Sequence, residues 1–375
     1  MKKVIGIAFI LVAIGIVIIW RYRGCDQNQT PNIGLKKQAK LAVKGYIGGE
    51  KLGFMSDPKV QEIIAKKYGL SVDFQKAGSL EMVQGNIAGL DFLWPSSQIA
   101  IELHRSKVGN VHSEIIFNSP IVLYSWDIVA DVLIRIGIVK RINEVYYIVD
   151  MPKLIKTINE GKKWSELGLS DLYGNVTVFC TDPTKSNSGN MFSGLLANIL
   201  NNGKVANDSD LANIMPTIVE FFSRLGYMEH SSADLFDQFL KMGVGAYPMI
   251  VGYENQLVEF SIQNEKYIDL LKSRIRTLYP KPTVWSSHPI IALNDNGSKL
   301  IEALKDEEIQ KLAWEKHGFR SGVVGMVNPI DILNVIGIPS TIDSVTPMPP
   351  FPIMQKIIET LSSQNINQIN IPANN

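Results

Sequence analysis

The sequence predicts an α/β protein with a parallel, doubly wound sheet behind an N-terminal transmembrane anchor. Three observations point there. From residue 41 onward, short β-branched and aromatic runs alternate with helical stretches through short connections. Three of those runs end in small hydroxyl or glycine turns: Gly78-Ser79, Ser96-Ser97 and Thr184–Gly189. Ahead of them stand seventeen apolar residues, Val4–Trp20, flanked by Lys2, Lys3, Arg21 and Arg23.

The apolar segment sits at the short limit of a bilayer span, which needs about 20 residues. A cleaved signal peptide has a shorter apolar region, roughly 7–15 residues, and a small-x-small cleavage site. Here Trp20, Arg21, Tyr22 and Arg23 follow instead, and Tyr22-Arg23-Gly24 before Cys25 is a poor lipobox. Residues 1–25 therefore read as an uncleaved single-pass anchor/signal segment and residues 26–40 as a polar linker.

Leu41–Gly48 is the first strand. Asp57-Pro58 opens a helix to Lys67, with Val60, Ile63, Ile64 and Tyr68 on one face and Gly69 as its stop. Leu70–Phe74 is a second strand, and Leu80–Gly85 opens the next helix. Asp91–Ser97 is a strand ending in a hydroxyl turn, with a helix to about His104. Ser113–Tyr124 is extended with Pro120 inside it. Helices follow at 126–136 and 151–161. Asn175–Cys180 reads as a buried strand, and helices follow at 189–201, 210–225 (with Pro216 kinking or splitting it) and 231–241. Val244–Val251 is a strand, and Gly252 opens a helix. Leu278–Pro282 is a turn, Thr283–Leu293 a long extended segment, and 297–304 and 306–317 are helices. Beyond Ile338, Pro339, Pro347, Pro349, Pro350 and Pro352 make a stiff linker. Ile353–Leu361 reads as a short amphipathic helix and the Asn/Gln-rich remainder as disordered.

Composition narrows the function. The chain has 375 residues, with 37 basic against 36 acidic and a net charge of +1. That balance, with no nucleic-acid motif, argues against nucleic acid as a partner. Cys25 and Cys180 are the two cysteines, with no metal spacing and no disulfide expected between them. The five histidines show neither metal nor triad spacing. His288, on the long extended segment, is the one near the expected site, and it reads as structural.

The turn Thr181–Asn190 is the most informative stretch. Free backbone N–H groups at a helix start, backed by the positive end of its dipole, cradle an anion or a polar ligand. Ser186 and Ser188 add hydroxyls, and Lys185 adds a charge. A plain helix cap uses the same residue types. Ser186 lacks a Gly-x-Ser-x-Gly elbow, and Lys185 is not in a phosphate-binding Gly-Lys-Ser/Thr loop. No enzyme, catalytic residue, metal or cofactor is expected.

Taken in order, these pieces resemble bacterial extracellular solute-binding proteins of the type II periplasmic-binding fold, most of all the molybdate/sulfate-type branch. The matching stretches are Lys76–Leu80, Asp91–Ser97, Asp182–Gly189, Tyr253–Gln256 after Gly245–Val251, and Gly318–Arg320. They span about residues 41–330. The resemblance implies two α/β lobes joined by crossovers near 115–124 and 281–293. Lobe one would be 41–120 plus 285–335, lobe two 121–284, and 336–375 a Pro-rich and Asn/Gln-rich tail. A ligand would sit between the lobes and be enclosed by hinge closure. Carried over onto this sequence, Ser79, Ser96 and Ser97 line the cleft from lobe one. Lys185, Ser186, Ser188 and Gly189 line it from lobe two, with Tyr253 and Glu254 as a final contact. Lys185 and Glu254 depart from that branch by adding charge, and Trp94 by adding bulk.

The implied function is a membrane-anchored, extracytoplasmic receptor for a small polar or anionic solute. Its partner would be an ABC-type permease or another membrane protein. The alternative is a sensor or protein-interaction module on the same fold, which the anchor and the tail favour.

Overall fold

The computed structural model describes residues 41–369; the predicted anchor and linker, and residues 370–375, lie outside them. Among the described residues no helix is long and apolar enough to cross a membrane. The strands are β1 (Leu41–Ile47), β2 (Leu70–Lys76), β3 (Phe92–Trp94), β4 (His112–Trp126), β5 (Val139–Ile142), β6 (Val145–Ile148), β7 (Met249–Tyr253), β8 (Ile275–Pro280), β9 (Trp285–Ala292) and β10 (Arg320–Ser321). They follow the order β2-β1-β3-β9-β4-β8-β6-β5, with β7 and β10 also paired to β4.

β1, β2 and β3 are parallel, as alternation with helices predicts. Asp57 caps the helix Pro58–Tyr68 through a 2.7 Å bond from Lys59 N–H, and Gly69 ends it in the left-handed conformation at φ 65°. The sheet is nevertheless mixed rather than parallel throughout. β9 runs antiparallel to both β3 and β4, because the long extended segments are themselves strands.

β4 organises the molecule. Its first half, His112–Pro120, pairs with β9, and its second half, from Ile121, pairs with β7 and β8. Pro120 sits at this change of partner, where a missing N–H costs least. The opposite strand crosses the same seam between β8 and β9. There Ile121 N–H donates to Val284 O at 3.1 Å and Thr283 Oγ1 donates to Ile121 O at 2.6 Å. On one side of the seam an aromatic core forms around Phe54, Trp94, Phe117 and Phe319, with Phe117 and Phe319 stacked at 5.1 Å. On the other, Trp164, Phe192, Leu195, Ile218 and Phe221 are buried together.

Several expectations change. Leu278–Pro282 is not simply a turn: β8 runs to Pro280. The hairpin β5–β6 was not anticipated, although Asn143 and Glu144, both at positive φ, are the sort of two-residue loop that closes one. Asn175–Cys180 joins the sheet through a bridge at Phe179, bonded to Met249 and Val251 of β7. The helix Asp208–Ser223 runs on through Pro216.

The tail changes most. Thr283 and Thr346 bond it to the seam, and the buried Asn198 amide donates to Pro347 O at 2.7 Å. Its helix extends over Phe351–Ile369, and Met354, Ile357 and Leu361 are buried in the core that holds the helices Asn187–Leu200 and Asp208–Ser223. Gly194 makes room for this: a Cβ there would lie 2.5 Å from Met348 and 2.8 Å from Met354. The segment is docked because its apolar residues recur at helical spacing, which the Asn/Gln-rich composition beyond them obscures.

Candidate functional site

The site is built where strand ends of the two halves meet. β3 leads into Pro95, Ser96 and Ser97. Ser97 caps the helix Gln98–Val108, accepting from Ile99 N–H at 3.2 Å. Ser96 is fully buried and is a crossing point. Its N–H donates to Ser79 Oγ at 3.0 Å, and its carbonyl accepts from Ser286 Oγ at 2.9 Å. The same carbonyl accepts from Asn187 Nδ2 at 3.2 Å, a bond that spans the two halves.

On the facing side the predicted turn folds on itself. Asp182 Oδ1 accepts from Thr184 N–H and Oγ1 at 2.8 and 2.7 Å, and the helix Asn187–Leu200 starts after Ser186. Ser188 is buried, with its Oγ 2.7 Å from Thr181 Oγ1 and 3.3 Å from Ser186 Oγ. Gly189 is present because the helix presses against the chain before it: a Cβ would sit 2.1 Å from Thr181 O and 2.9 Å from Pro183 N, both backbone atoms. Gly189→Ala should therefore cost about 1–3 kcal/mol, measured as a lowered urea midpoint; an unchanged midpoint would show that the turn relaxes freely.

Tyr253 ends β7, is buried, and accepts from Asn187 Nδ2 at 3.0 Å. Burial, then the charge of Glu50, raise its hydroxyl pKa far above the usual tyrosine range.

Of the nine predicted residues, Ser79, Lys185 and Ser186 line a shared cleft of about 740 Å³, walled on one side by the helix Phe351–Ile369. Ser96, Ser97, Ser188 and Gly189 lie behind that lining and hold it in place. Tyr253 reaches it through Asn187. Lys185 is exposed and lies 3.1 Å from His230 Nε2 and 3.9 Å from Asp182. Glu254 is elsewhere. It is fully buried, accepting from Arg320 Nε at 2.6 Å, Arg320 Nη2 at 2.9 Å and Tyr279 OH at 2.7 Å. Its position after β7 aims it at the strand seam, where β10 brings a cation, rather than at the cleft.

A charged cluster beneath Ser96 was not anticipated. The Lys51 ammonium is fully buried, donating to Ser96 Oγ at 2.8 Å, with Glu50 as ion-pair partner. It also lies 3.2 Å from His288 Nδ1. Burial pushes the Glu50 carboxyl up, but Lys51 and His288 outweigh it and hold the pKa well below the usual range. Burial lowers Lys51 as well. His288 falls to about 4, through burial and the neighbouring ammonium. A visible signal existed: Gly48-Gly49 follows β1, a fourth turn of small residues at a strand end. Among the described residues no group of three or more His, Cys, Asp or Glu could hold a metal ion.

No protein-family model and no curated protein matches this chain. Solved structures do. Apo ferric ion-binding protein A from Pasteurella haemolytica aligns with 89% of this chain and 99% of its own, at 14% identity and a TM-score of 0.54. Iron-bound HitA from Pseudomonas aeruginosa aligns with 86% and 99%, at 11% identity and 0.55. An ABC transporter structure from Clostridium perfringens aligns with 86% and 99%, at 13% and 0.52. The chain is a mixed α/β protein with the type II fold of periplasmic and extracellular solute-binding proteins.

Proposed function

We propose that this chain is an extracytoplasmic solute-binding protein, held at the membrane by residues 1–25, that captures a small polar solute for ABC-type uptake. The observation that carries the reading is the cleft itself. It is lined by strand-end turns from both sides of the seam, and ligands bind at the carboxyl ends of strands in open α/β sheets. Ser79 lies on one face, and Ser186, Asn187 and Lys185 on the other. Capture would use hydrogen bonds from hydroxyls, amides and the start of the Asn187–Leu200 helix, without covalent chemistry. The fold neighbours, named as binding and transport proteins, support the same reading.

A thermal-shift screen of the full chain against small anions, sugars and amino acids tests it. A true ligand raises Tm saturably, by the equivalent of about 2.7 kcal/mol at one hundred times its Kd. In Ser186→Ala/Asn187→Ala the shift at the same concentration should fall or vanish; an undiminished shift would place the site elsewhere. A second reading, a sensor or interaction module, is favoured by the docked C-terminal helix beside the cleft and by the Asn187–Ser96 bond that already joins its sides. No shift with any solute, together with a co-purifying membrane protein, would select that reading.

A further inference from the structure

We propose that the solute taken by this cleft is amphiphilic, with a small uncharged polar head and an apolar body laid against the C-terminal helix. The inference rests on the solute-binding reading above and names its substrate class. Size is the first argument. A cleft of about 740 Å³ is in the range that holds organic ligands, roughly 300–1,000 Å³. A bare tetrahedral oxyanion fills only about the space of two or three waters, each roughly 30 Å³.

The lining divides by chemistry. Leu80 and Ile99 from one half face the cleft, with Phe351, Met354 and Ile358 of the C-terminal helix. A fully polar solute leaves that wall in contact with water, whereas an apolar body covers it. At the start of the Asn187–Leu200 helix the lining is polar, with Ser186, Asn187 and Asn190, and Ser79 faces them from the other half. Asn190 is 6% exposed, and its carbonyl accepts from Ser193 Oγ at 2.7 Å. Its side-chain amide has no hydrogen-bond partner among the described residues, although it borders the cleft. The amide stays open to the cleft, where it is free to hydrogen-bond a ligand.

Charge favours an uncharged head. The lining carries one cation, Lys185, against two carboxylates, Glu81 and Glu359. Lys185 is already beside His230 and Asp182. Glu81 accepts from Gly78 N–H at 2.9 Å, and Glu359 from Gln355 at 2.8 Å. Among the described residues no unpaired cationic side chain faces the cleft, so an anion there would have the helix start alone to hold it against two carboxylates.

The test uses the full chain in lipid nanodiscs, with empty nanodiscs subtracted. Equilibrium binding is measured for methyl-, butyl- and hexyl-β-glucoside and for hexanesulfonate. Affinity should rise with chain length, up to about fourfold per methylene, and hexyl glucoside should bind more tightly than hexanesulfonate. Ile358→Asp, at a half-buried position facing the cleft, should abolish the chain-length dependence. Asn190→Ala should weaken all the glucosides by about the same factor and keep it. A dependence that survives Ile358→Asp, or a preference for the sulfonate, overturns the proposal. So does absence of glucoside binding when the solute screen finds a fully polar ligand; that result leaves the solute-binding reading standing. If no probe and no solute in the screen binds, both fall.

Discussion

Glu254→Ala should destabilise the folded chain by about 3–5 kcal/mol, because it strands a buried cation. Arg320 is 4% exposed, and Glu254 is its only carboxylate partner among the described residues. The Pro339 and Ser340 carbonyls also accept from Arg320, at 2.6 and 3.0 Å, but they carry no net charge to replace the carboxylate. Tyr279 would lose its acceptor at the same time. Burial opposes the Arg320 charge, yet the Glu254 carboxylate more than compensates and raises its pKa. Urea denaturation should show a lowered midpoint with an unchanged slope. Replacing both partners by apolar residues, Glu254→Leu with Arg320→Met, should recover much of the loss, since no orphaned charge then remains. Because Glu254 lies away from the cleft, ligand affinity of the folded Glu254→Ala fraction should match the wild type. A loss of affinity without a loss of stability would return Glu254 to the binding site.

That residue also shows what a sequence does and does not reveal here. The strand before it, and its position opening the helix Glu254–Gln263, follow from local pattern. Its partner is 66 residues away, and no periodicity connects the two. The same limit hid the Glu50–Lys51–His288 cluster, in which His288 is 237 residues from Lys51. The turns at Ser79, Ser96 and Ser186 were legible because each is a strand end followed by a helix start, and such a junction is written in a few consecutive residues. Which of those hydroxyls face the cleft depends on packing between elements: Ser188 turns back to Thr181 while Ser186 lines the opening. The C-terminal helix was half legible. Its apolar spacing showed, but its docking needs Gly194 and Asn198, which lie on a distant helix and look unremarkable there.

Acid should remove about 3 kcal/mol of stability between pH 6.5 and pH 4 through His288. In the unfolded chain this imidazole titrates near 6.5, while in the fold its pKa is held to about 4. Between those values the unfolded state binds a proton that the native state refuses. Stability therefore rises with pH across the window, is fully present above 6.5, and is lost as pH falls. The geometry explains the refusal. Nδ1 lies 3.2 Å from a buried ammonium, and Nε2 is buried without a partner among the described residues, in a ring 5.1 Å from that of Phe319. A second positive charge there would be buried against Lys51, which the Glu50 carboxylate, 3.4 Å from Nδ1, offsets only in part. Glu50 adds a loss in the same direction, but only below the ordinary Glu value of about 4.3. His104, also lowered by burial, contributes its own slope. The comparison that isolates His288 is therefore His288→Asn, which keeps an acceptor near Lys51 and cannot titrate. Unfolding free energies of the two proteins between pH 7 and pH 4.5 should converge as pH falls, with the wild-type slope steeper by up to one proton. Parallel curves would mean that His288 stays accessible to protons in the folded chain, and that the cluster beneath Ser96 opens.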